Sequence, residues 1–405
     1  LIAVLANTAS PATAQGGRLD LVAQTLFVGD DPAVIDLRVS GTSAEAELRV
    51  RIFGPRTTRA DVRATYTTVP PEIALSDFPC PLALADGEPE PEPDPGAEPV
   101  DRCPLSEIGS GGLYSITIPD DQIGELLRRD QGVLPVVIDL TDQGVVVDTL
   151  ITNLLVLDDR AFPRMGLALV ADLTTPPALQ PDQSLLVDGP ALLERAEAVE
   201  ALTNTPVTVG LGAETLRALA ETGDTTSVDA LTTLLADRSL LRVPWVDLDE
   251  EAWRLAGEAD LVLEQYALGV TTVEELLGRS PSTIARIDTD ATAETLGLLR
   301  SAGTTGVVVG PDQLNTSTRV GTSHRPFRLL DDNGLPIAAV RIDDDLHDTL
   351  ADTDAELGGH RALAELAVAG SSATTDLGVV LDLNRLDPVA LDVVLSGIGR
   401  RDFLR

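Results

Sequence analysis

The chain has 405 residues, 43% of them hydrophobic, and its 65 acidic against 29 basic residues give a net charge of −36. A chain of this length and apolar content can bury the cores of two or three domains. The negative charge repels phosphate backbones and anionic lipid surfaces, which argues against nucleic-acid binding and peripheral membrane docking. A salt-adapted surface explains the same acidity.

The first residues have the pattern of an export signal. A short apolar run is followed by Ala12-Thr13-Ala14, which resembles the end of a secretory signal peptide with its cleavage site. We therefore expect residues 1–17 to be a signal-peptide remnant or a disordered tail. No later segment has the ~18 consecutive apolar residues of a spanning helix. We expect no direct membrane insertion by this part of the protein.

Residues 18–160 have the patterns of β-strands. Apolar residues alternate with polar ones or run with β-branched residues between Gly, Pro and Asp. The segments are LDLVAQTLFV (19–28), AVIDLRVSG (33–41), AELRVRIFG (46–54), LYSITIP (113–119) and LPVVIDLTD (134–142). Their spacing predicts an Ig-like antiparallel β-sandwich, with one short helix at DDQIGELLRR (120–129).

Two cysteines, Cys80 and Cys103, flank a segment rich in Glu and Pro. Residues 85–100 of this segment cannot form a packed core, and we expect a disordered, solvated loop. An even cysteine count and an export signal fit an oxidising compartment, so the pair predicts a disulfide. Closing a loop of roughly 23 residues would stabilise the fold by about 3 kcal/mol.

From Met165 onward the pattern changes to strands that alternate with helices. Most of the strands are unbroken apolar runs, as buried parallel strands are. The predicted strands are 165–173, 206–212, 240–246, 283–288, 305–310, 335–343 and 377–383, with a hairpin turn at Asn333-Gly334. This alternation favours a parallel sheet or barrel over residues 161–405.

Several phrases in this order carry a family resemblance: VADLTTPP (170–177), VPWVDLD (243–249) and LEQYALGVTTVEELLG (263–278). With the preceding sandwich, they resemble an uncharacterised family of exported actinobacterial envelope proteins encoded beside the MurJ-type lipid II flippase. The resemblance implies a (β/α)7 barrel like that of glycoside hydrolases and polysaccharide deacetylases. It also implies a C-terminal membrane anchor beyond Arg405.

The deacetylase chemistry of such barrels is not supported by the histidines. Those enzymes hold a metal with an Asp and two His spaced by four residues, which places both rings on one helical face. Here His324, His347 and His360 do not pair at that spacing. The cluster DDDLHD (343–348) could hold a hard cation, but a solvated loop that opens a helix explains it better. We expect no metal and no cofactor.

Acids at the strand ends are the remaining candidates for chemistry. A glycosidase needs two carboxylates flanking one bond, and we select Asp172, Asp247 and Asp288 as candidate catalytic residues, with Trp245 and Asp249 as ligand-binding residues. Each acid has a structural alternative. Asp247 and Glu250 form a D-x-x-E helix start, Asp249 directly precedes a helix, and Asp288 stands before another. Aromatic residues make up only 3% of the chain, fewer than carbohydrate-cleaving clefts generally use.

The sequence therefore leads to three hypotheses. One is a solute-binding module, which would have a closed apolar pocket near Trp245. The favoured one is a non-catalytic, exported scaffold or accessory protein of cell-wall assembly, tethered to the membrane and located outside the cytoplasm. Its partner would be a glycan or a cell-wall synthesis membrane protein such as a lipid II flippase. The alternative is a carbohydrate-active hydrolase that uses the strand-end carboxylates.

Overall fold

The structure is a computed structural model. It describes residues 17–28, 32–43, 45–82, 105–108, 111–118, 132–156, 165–202, 205–310, 312–314, 326–351, 354–371, 377–383 and 386–400. The predicted signal remnant, the Glu/Pro loop at 85–100, the short helix at 120–129 and His324 lie outside these residues.

The chain divides into two compact units, and each unit is formed by several separate stretches of the sequence. The first unit contains residues 1–162, 352–372 and 392–397. The second contains residues 163–351, 373–391 and 398–405. The first boundary lies between residues 162 and 163. A C-terminal segment also belongs to the first unit, whereas the sequence pattern predicted it in the barrel region.

The described residues of the first unit form two four-stranded antiparallel sheets, in the orders β1-β2-β6-β5 and β4-β3-β7-β8. Their strands are β1 (Arg18–Gln24), β2 (Ala33–Ser40), β3 (Glu47–Ile52), β4 (Ser76–Pro81), β5 (Leu105–Glu107), β6 (Leu113–Ile118), β7 (Gly132–Asp142) and β8 (Val145–Val156). Helix α1 (Arg59–Thr67) follows β3, and Thr58 caps it by accepting a hydrogen bond from the Asp61 N–H.

The two sheets share one hydrophobic core, because alternate residues of each strand turn inward. The core combines Ile35 and Leu37 of β2 with Val50 of β3 and Ile138 of β7. Leu357, far along the chain, belongs to the same core. Cys80 is buried on β4. Its expected partner Cys103 lies outside the described residues, so the disulfide stays a prediction.

The described residues of the second unit form seven strands that run parallel and one antiparallel strand. They form the sheets β11-β10-β9-β16 and β12-β13-β15-β14. The strands are β9 (Met165–Asp172), β10 (Val207–Gly210), β11 (Ser239–Leu240), β12 (Ile284–Ile287), β13 (Gly306–Val309), β14 (Phe327–Leu330), β15 (Pro336–Arg341) and β16 (Leu377–Asp382). Strands β14 and β15 form the predicted hairpin, with Gly334 at positive φ.

Helices separate most of these strands in sequence. They are α2 (Gly189–Glu200), α3 (Ala213–Glu221), α4 (Thr225–Leu234), α5 (Glu250–Leu255), α6 (Ala259–Leu277), α7 (Ala293–Ser301), α8 (Asp344–Leu350), α9 (Ala355–Ser371) and α10 (Pro388–Arg400). Helix α9 belongs to the first unit, and α10 is shared between the two units. Helix α3 begins directly after Gly212, without a side-chain cap.

Hydrogen bonds also connect the edges of the two sheets in the second unit. The Ser282 N–H donates to the Leu240 carbonyl, and the Arg242 N–H donates to the Ile284 carbonyl, each over 2.8 Å. These bonds join the end of β11 to β12. A parallel bridge pairs Ile342, after β15, with Val380 of β16. Seven parallel strands are thus linked in the order β9-β10-β11-β12-β13-β15-β16, and β16 pairs with β9.

No helix in the described part of the chain is both long and apolar enough to cross a membrane.

Candidate functional site

A small cleft lies at the carboxyl ends of three parallel strands of the second unit. Asp172 is the last residue of β9, Gly210 is the last of β10, and Asp288 follows β12. The segment 241–248, which follows β11, supplies much of the remaining wall. The cavity volume is about 80 Å³, which is room for several water molecules.

Four residues selected from the sequence meet in this cleft. Asp172, Asp247, Asp288 and Trp245 all line it. The carboxyl ends of parallel strands meet at one edge, so acids that are distant in sequence come together there. Asp249 is placed differently: its carboxylate accepts the Ala252 N–H at 2.8 Å and caps α5. Its carboxylate thus pairs with the first turn of the helix, where N–H groups are otherwise unpaired, and its ligand-binding role stays a prediction.

Asp247 carries a carboxyl whose pKa is raised above its usual value. Partial burial is the main cause, and the charges of Asp288 and Asp172 raise the pKa further. The Leu248 N–H and the Arg286 guanidinium act in the opposite direction. Asp247 does not cap a helix, contrary to the structural alternative read from D-x-x-E. It is a carboxyl group that burial and neighbouring carboxylates bias toward its protonated form.

Glu250 is a cleft residue that the sequence analysis missed. It is only 4% exposed, and its two carboxylate oxygens accept hydrogen bonds from Tyr266 Oη at 2.7 Å and from Thr289 Oγ1 at 3.3 Å. Burial raises the pKa of Glu250, while these two hydrogen bonds lower it and the charge of Asp247 raises it. The acid appeared to be part of a helix-start signal, and nothing in the local sequence indicates Tyr266 as its partner.

Asp288 is held by an arginine two residues earlier, which was also missed. Arg286 donates through Nε to Asp288 at 2.8 Å and through a terminal nitrogen to Asp382, at the end of β16, at 3.0 Å. Burial works to lower the pKa of Arg286, but the carboxylates of Asp288, Asp382 and Asp172 raise it overall. Thr292, and not Asp288, caps the following helix α7.

Asp172 takes part in a local turn at the end of β9. Its Oδ1 accepts the Thr174 N–H at 2.8 Å. The neighbouring strand ends in Gly210, where an added Cβ would lie 3.6 Å from the same carboxylate oxygen. The carboxylate of Asp172 therefore lies against the end of β10 as well as in the cleft.

The acid and histidine cluster at 343–348 is helical and forms no metal site. Asp343 caps α8 through the Leu346 N–H, and His347 is 1% exposed. The Nδ1 of His347 contacts the Asp343 carbonyl at 2.9 Å, and its Nε2 accepts the Asp382 N–H at 2.8 Å. Both ring nitrogens thus contact backbone atoms. Among the described residues, no group of three or more His, Cys, Asp and Glu side chains could hold a metal ion.

Comparison with known proteins identifies no family for this chain. No family model matches the chain, and no curated protein matches it. Among solved structures, one match is the novel alpha-amylase AmyC from Thermotoga maritima, with a TM-score of 0.35 and 10% sequence identity. The match covers 47% of this chain and 48% of that one, so this chain spans about half the length of the amylase.

Proposed function

We propose that the first unit is an Ig-like sandwich and the second a closed (β/α)7-type barrel. The sandwich is supported by two antiparallel sheets that share one core. The barrel is supported by the ring of strand pairings and by one apolar cluster that draws on Val170, Leu241, Val308, Ile342 and Val380. Inward side chains of a small barrel fill its interior in this way. The cleft then lies at the end of the barrel where such folds bind ligands.

We propose that this cleft binds a neutral, hydroxyl-rich ligand, and that a carbohydrate is the class that fits best. The observation that carries the proposal is the meeting of Asp172, Asp247 and Asp288 beside Trp245 and Arg286. Carboxylates accept hydrogen bonds from sugar hydroxyls, and a guanidinium donates to them. An indole face packs against the apolar face of a sugar ring.

Binding without hydrolysis is the favoured role, because most of the cleft carboxylates already have partners. Asp288 is paired with Arg286, Glu250 is hydrogen-bonded to Tyr266, and Asp172 holds a turn. A glycosidase needs two carboxylates that are free to exchange protons or to attack the sugar.

The cellular role that we propose is that of an exported, membrane-tethered scaffold or accessory protein of cell-wall assembly. The support is the signal-like N-terminus and the family resemblance of the sequence. In this role the cleft would contact the glycan, and the partner would be a membrane protein such as a lipid II flippase.

The test is calorimetric titration of the protein with a tetramer of β-1,4-linked N-acetylglucosamine. We expect binding that weakens by about 1–3 kcal/mol in Asp247→Asn, through loss of a charged acceptor. Asp249→Ser, which keeps the helix cap, is the matched control and should bind like the wild-type protein. The proposal is wrong if neither this oligomer nor soluble peptidoglycan strands bind at millimolar concentration.

A second candidate is a carbohydrate-active hydrolase, which the raised pKa of Asp247 favours. A protonated Asp247 would give its proton to the leaving oxygen, and Asp172 would act as base or nucleophile. We would measure release of reducing ends from the same oligomer. Turnover that disappears in Asp247→Asn while binding persists would establish hydrolysis, and absence of turnover in the wild-type protein would exclude it for this substrate.

A further inference from the structure

Helix α6 presents one face to the segment that carries Trp245, Asp247 and Glu250. Three contacts lie along this face, made by the Gln265 carbonyl, the Tyr266 hydroxyl and the backbone at Gly269. Residues three and four apart share a side of a helix, so these contacts come from a single stripe. Val262, Tyr266, Gly269 and Val273 of the stripe are buried.

Gly269 permits a very close approach between α6 and this segment. A Cβ added at Gly269 would lie 2.2 Å from the Val243 carbonyl oxygen and 2.9 Å from the Pro244 carbonyl carbon. Both are backbone atoms, so no side-chain rotation can relieve the overlap. Gly269 lies inside a regular helix, where alanine would otherwise be preferred. Close packing is therefore the physical reason for glycine here.

The backbone of Trp245 is fixed between two helices. Its N–H donates to the Gln265 carbonyl of α6 at 2.8 Å, and its carbonyl accepts the Glu214 N–H, in the first turn of α3, at 3.0 Å. Gly269 lies one turn beyond Gln265, so the close approach and the hydrogen bond act on the same few residues. Displacing the segment from α6 would move Trp245 and, two residues later, Asp247.

We propose that the face of α6 formed by Gly269 and Tyr266 is the positioning element of the cleft. Gly269 sets how closely the segment that carries Trp245 and Asp247 packs against α6. Tyr266 holds Glu250 at the other end of that segment through its 2.7 Å hydrogen bond. Neither residue lines the cleft. The inference rests on the proposed function, since it names the residues that position the binding groups of the same cleft.

The first test measures the fluorescence of Trp245, which reports on the surroundings of its own side chain. The chain has two tryptophans, and Trp253 is 40% exposed on α5, so Trp253→Phe leaves Trp245 as the sole tryptophan, which can be excited selectively over tyrosine. In that background, Gly269→Ala should shift the emission maximum of Trp245 and change its quenching by acrylamide. Affinity for the N-acetylglucosamine tetramer should fall on the order of tenfold, because small misplacements of binding groups are costly.

The matched control is Gly54→Ala, which adds the same methyl group in the first unit where nothing lies within 4 Å. It should leave emission, quenching and affinity unchanged. Identical emission and quenching in Gly269→Ala and its parent would overturn the role of Gly269.

The second test removes one hydroxyl and keeps the shape of the side chain, so it does not depend on tolerance of the Gly269 change. The Tyr266 hydroxyl lowers the pKa of Glu250, so Tyr266→Phe should move the titration midpoint of Glu250 to higher pH. The midpoint is read from the pH dependence of Trp245 emission, as the transition that Glu250→Gln removes. Tyr66→Phe, which loses a hydroxyl bonded to the Arg361 carbonyl in the first unit, is the control. An unchanged midpoint in Tyr266→Phe would overturn the role of Tyr266.

The fluorescence measurements require no ligand, so the two proposals fail separately. Absence of oligomer binding in the wild-type protein would count against the proposed function alone. Unchanged Trp245 emission and an unchanged Glu250 midpoint would count against the positioning role alone.

Discussion

The two units of the molecule bury carboxylates in opposite ways. In the first unit, Glu365 of α9 has no exposed side-chain surface and lies between Arg59 and Arg63 of α1, at 2.9 and 2.7 Å. In the second unit, Glu250 is nearly as buried, but its hydrogen bonds come from the uncharged hydroxyls of Tyr266 and Thr289.

This difference separates a structural acid from a responsive one. Two guanidinium groups compensate the buried charge of Glu365 and connect α9 to α1. Among the described residues, Glu250 has no such cation as a hydrogen-bond partner. It lies beside Asp247, and its burial raises its pKa. A carboxyl of this kind changes its charge when the pH or a bound ligand changes, which is common at functional sites.

The largest effect should follow from removing the structural acid. Glu365→Ala leaves two arginines without their shared carboxylate, and we expect a loss of about 3–5 kcal/mol in the free energy of unfolding, measured in urea. Asp77→Asn, which breaks the exposed pair with Arg49, is the control and should cost less than about 1 kcal/mol. Equal losses in the two variants would remove the distinction drawn for Glu365.

An intermediate effect on stability is expected at Asp249, whose carboxylate accepts a hydrogen bond from the Ala252 N–H of α5. Asp249→Ala removes the cap of α5 and should cost about 1 kcal/mol of stability, while Asp249→Ser retains it. Oligomer binding should be unchanged in both variants. Weaker binding in both variants would instead support the ligand contact predicted from the sequence.

The smallest effect on the free energy of unfolding is expected at Glu250, where the substitution should stabilise the protein instead of destabilising it. Its pKa is raised in the folded protein, so its contribution to stability is complete below the unfolded pKa and is lost as the pH rises through the folded pKa. Glu250→Gln imitates the protonated form. The variant and the wild-type protein should be equally stable at about pH 4, and the variant should be the more stable of the two at pH 7.

Thermal unfolding across this pH range provides the measurement. A variant that is less stable than the wild-type protein at pH 7 would mean that the ionised carboxylate is needed, and Glu250 would then resemble Glu365.

Much of the second unit was predictable because its strands carry a local signal. The run 165–173 became β9, and 305–310 became β13, since a buried parallel strand must be apolar on both faces. The run 240–246 was less regular. Only Ser239–Leu240 is a strand, and the residues after it, which include Pro244, follow an irregular path against α6.

The cleft was predictable only in part, for a physical reason. Asp172, Asp247 and Asp288 were selected because strand ends converge. Glu250, Arg286 and Gly269 depend on partners 16, 96 and 26 residues away, namely Tyr266, Asp382 and Val243. Such pairings leave no periodic pattern in the sequence. The place of helix α9 in the first unit left no such pattern either, since an amphipathic pattern does not say which sheet a helix covers.

The return of α9 to the first unit has a consequence for how the chain folds. Leu357 completes the core of the two antiparallel sheets, Asp354 accepts the Leu21 N–H at 3.2 Å, and Arg361 donates to the Ile151 carbonyl. Residues 1–162 therefore leave the ribosome without a segment that their own core requires. Residues 163–351 of the second unit are synthesised in between, so the first unit can finish folding only after they too have been made. Contacts of such long sequence separation slow folding and leave apolar surface exposed meanwhile.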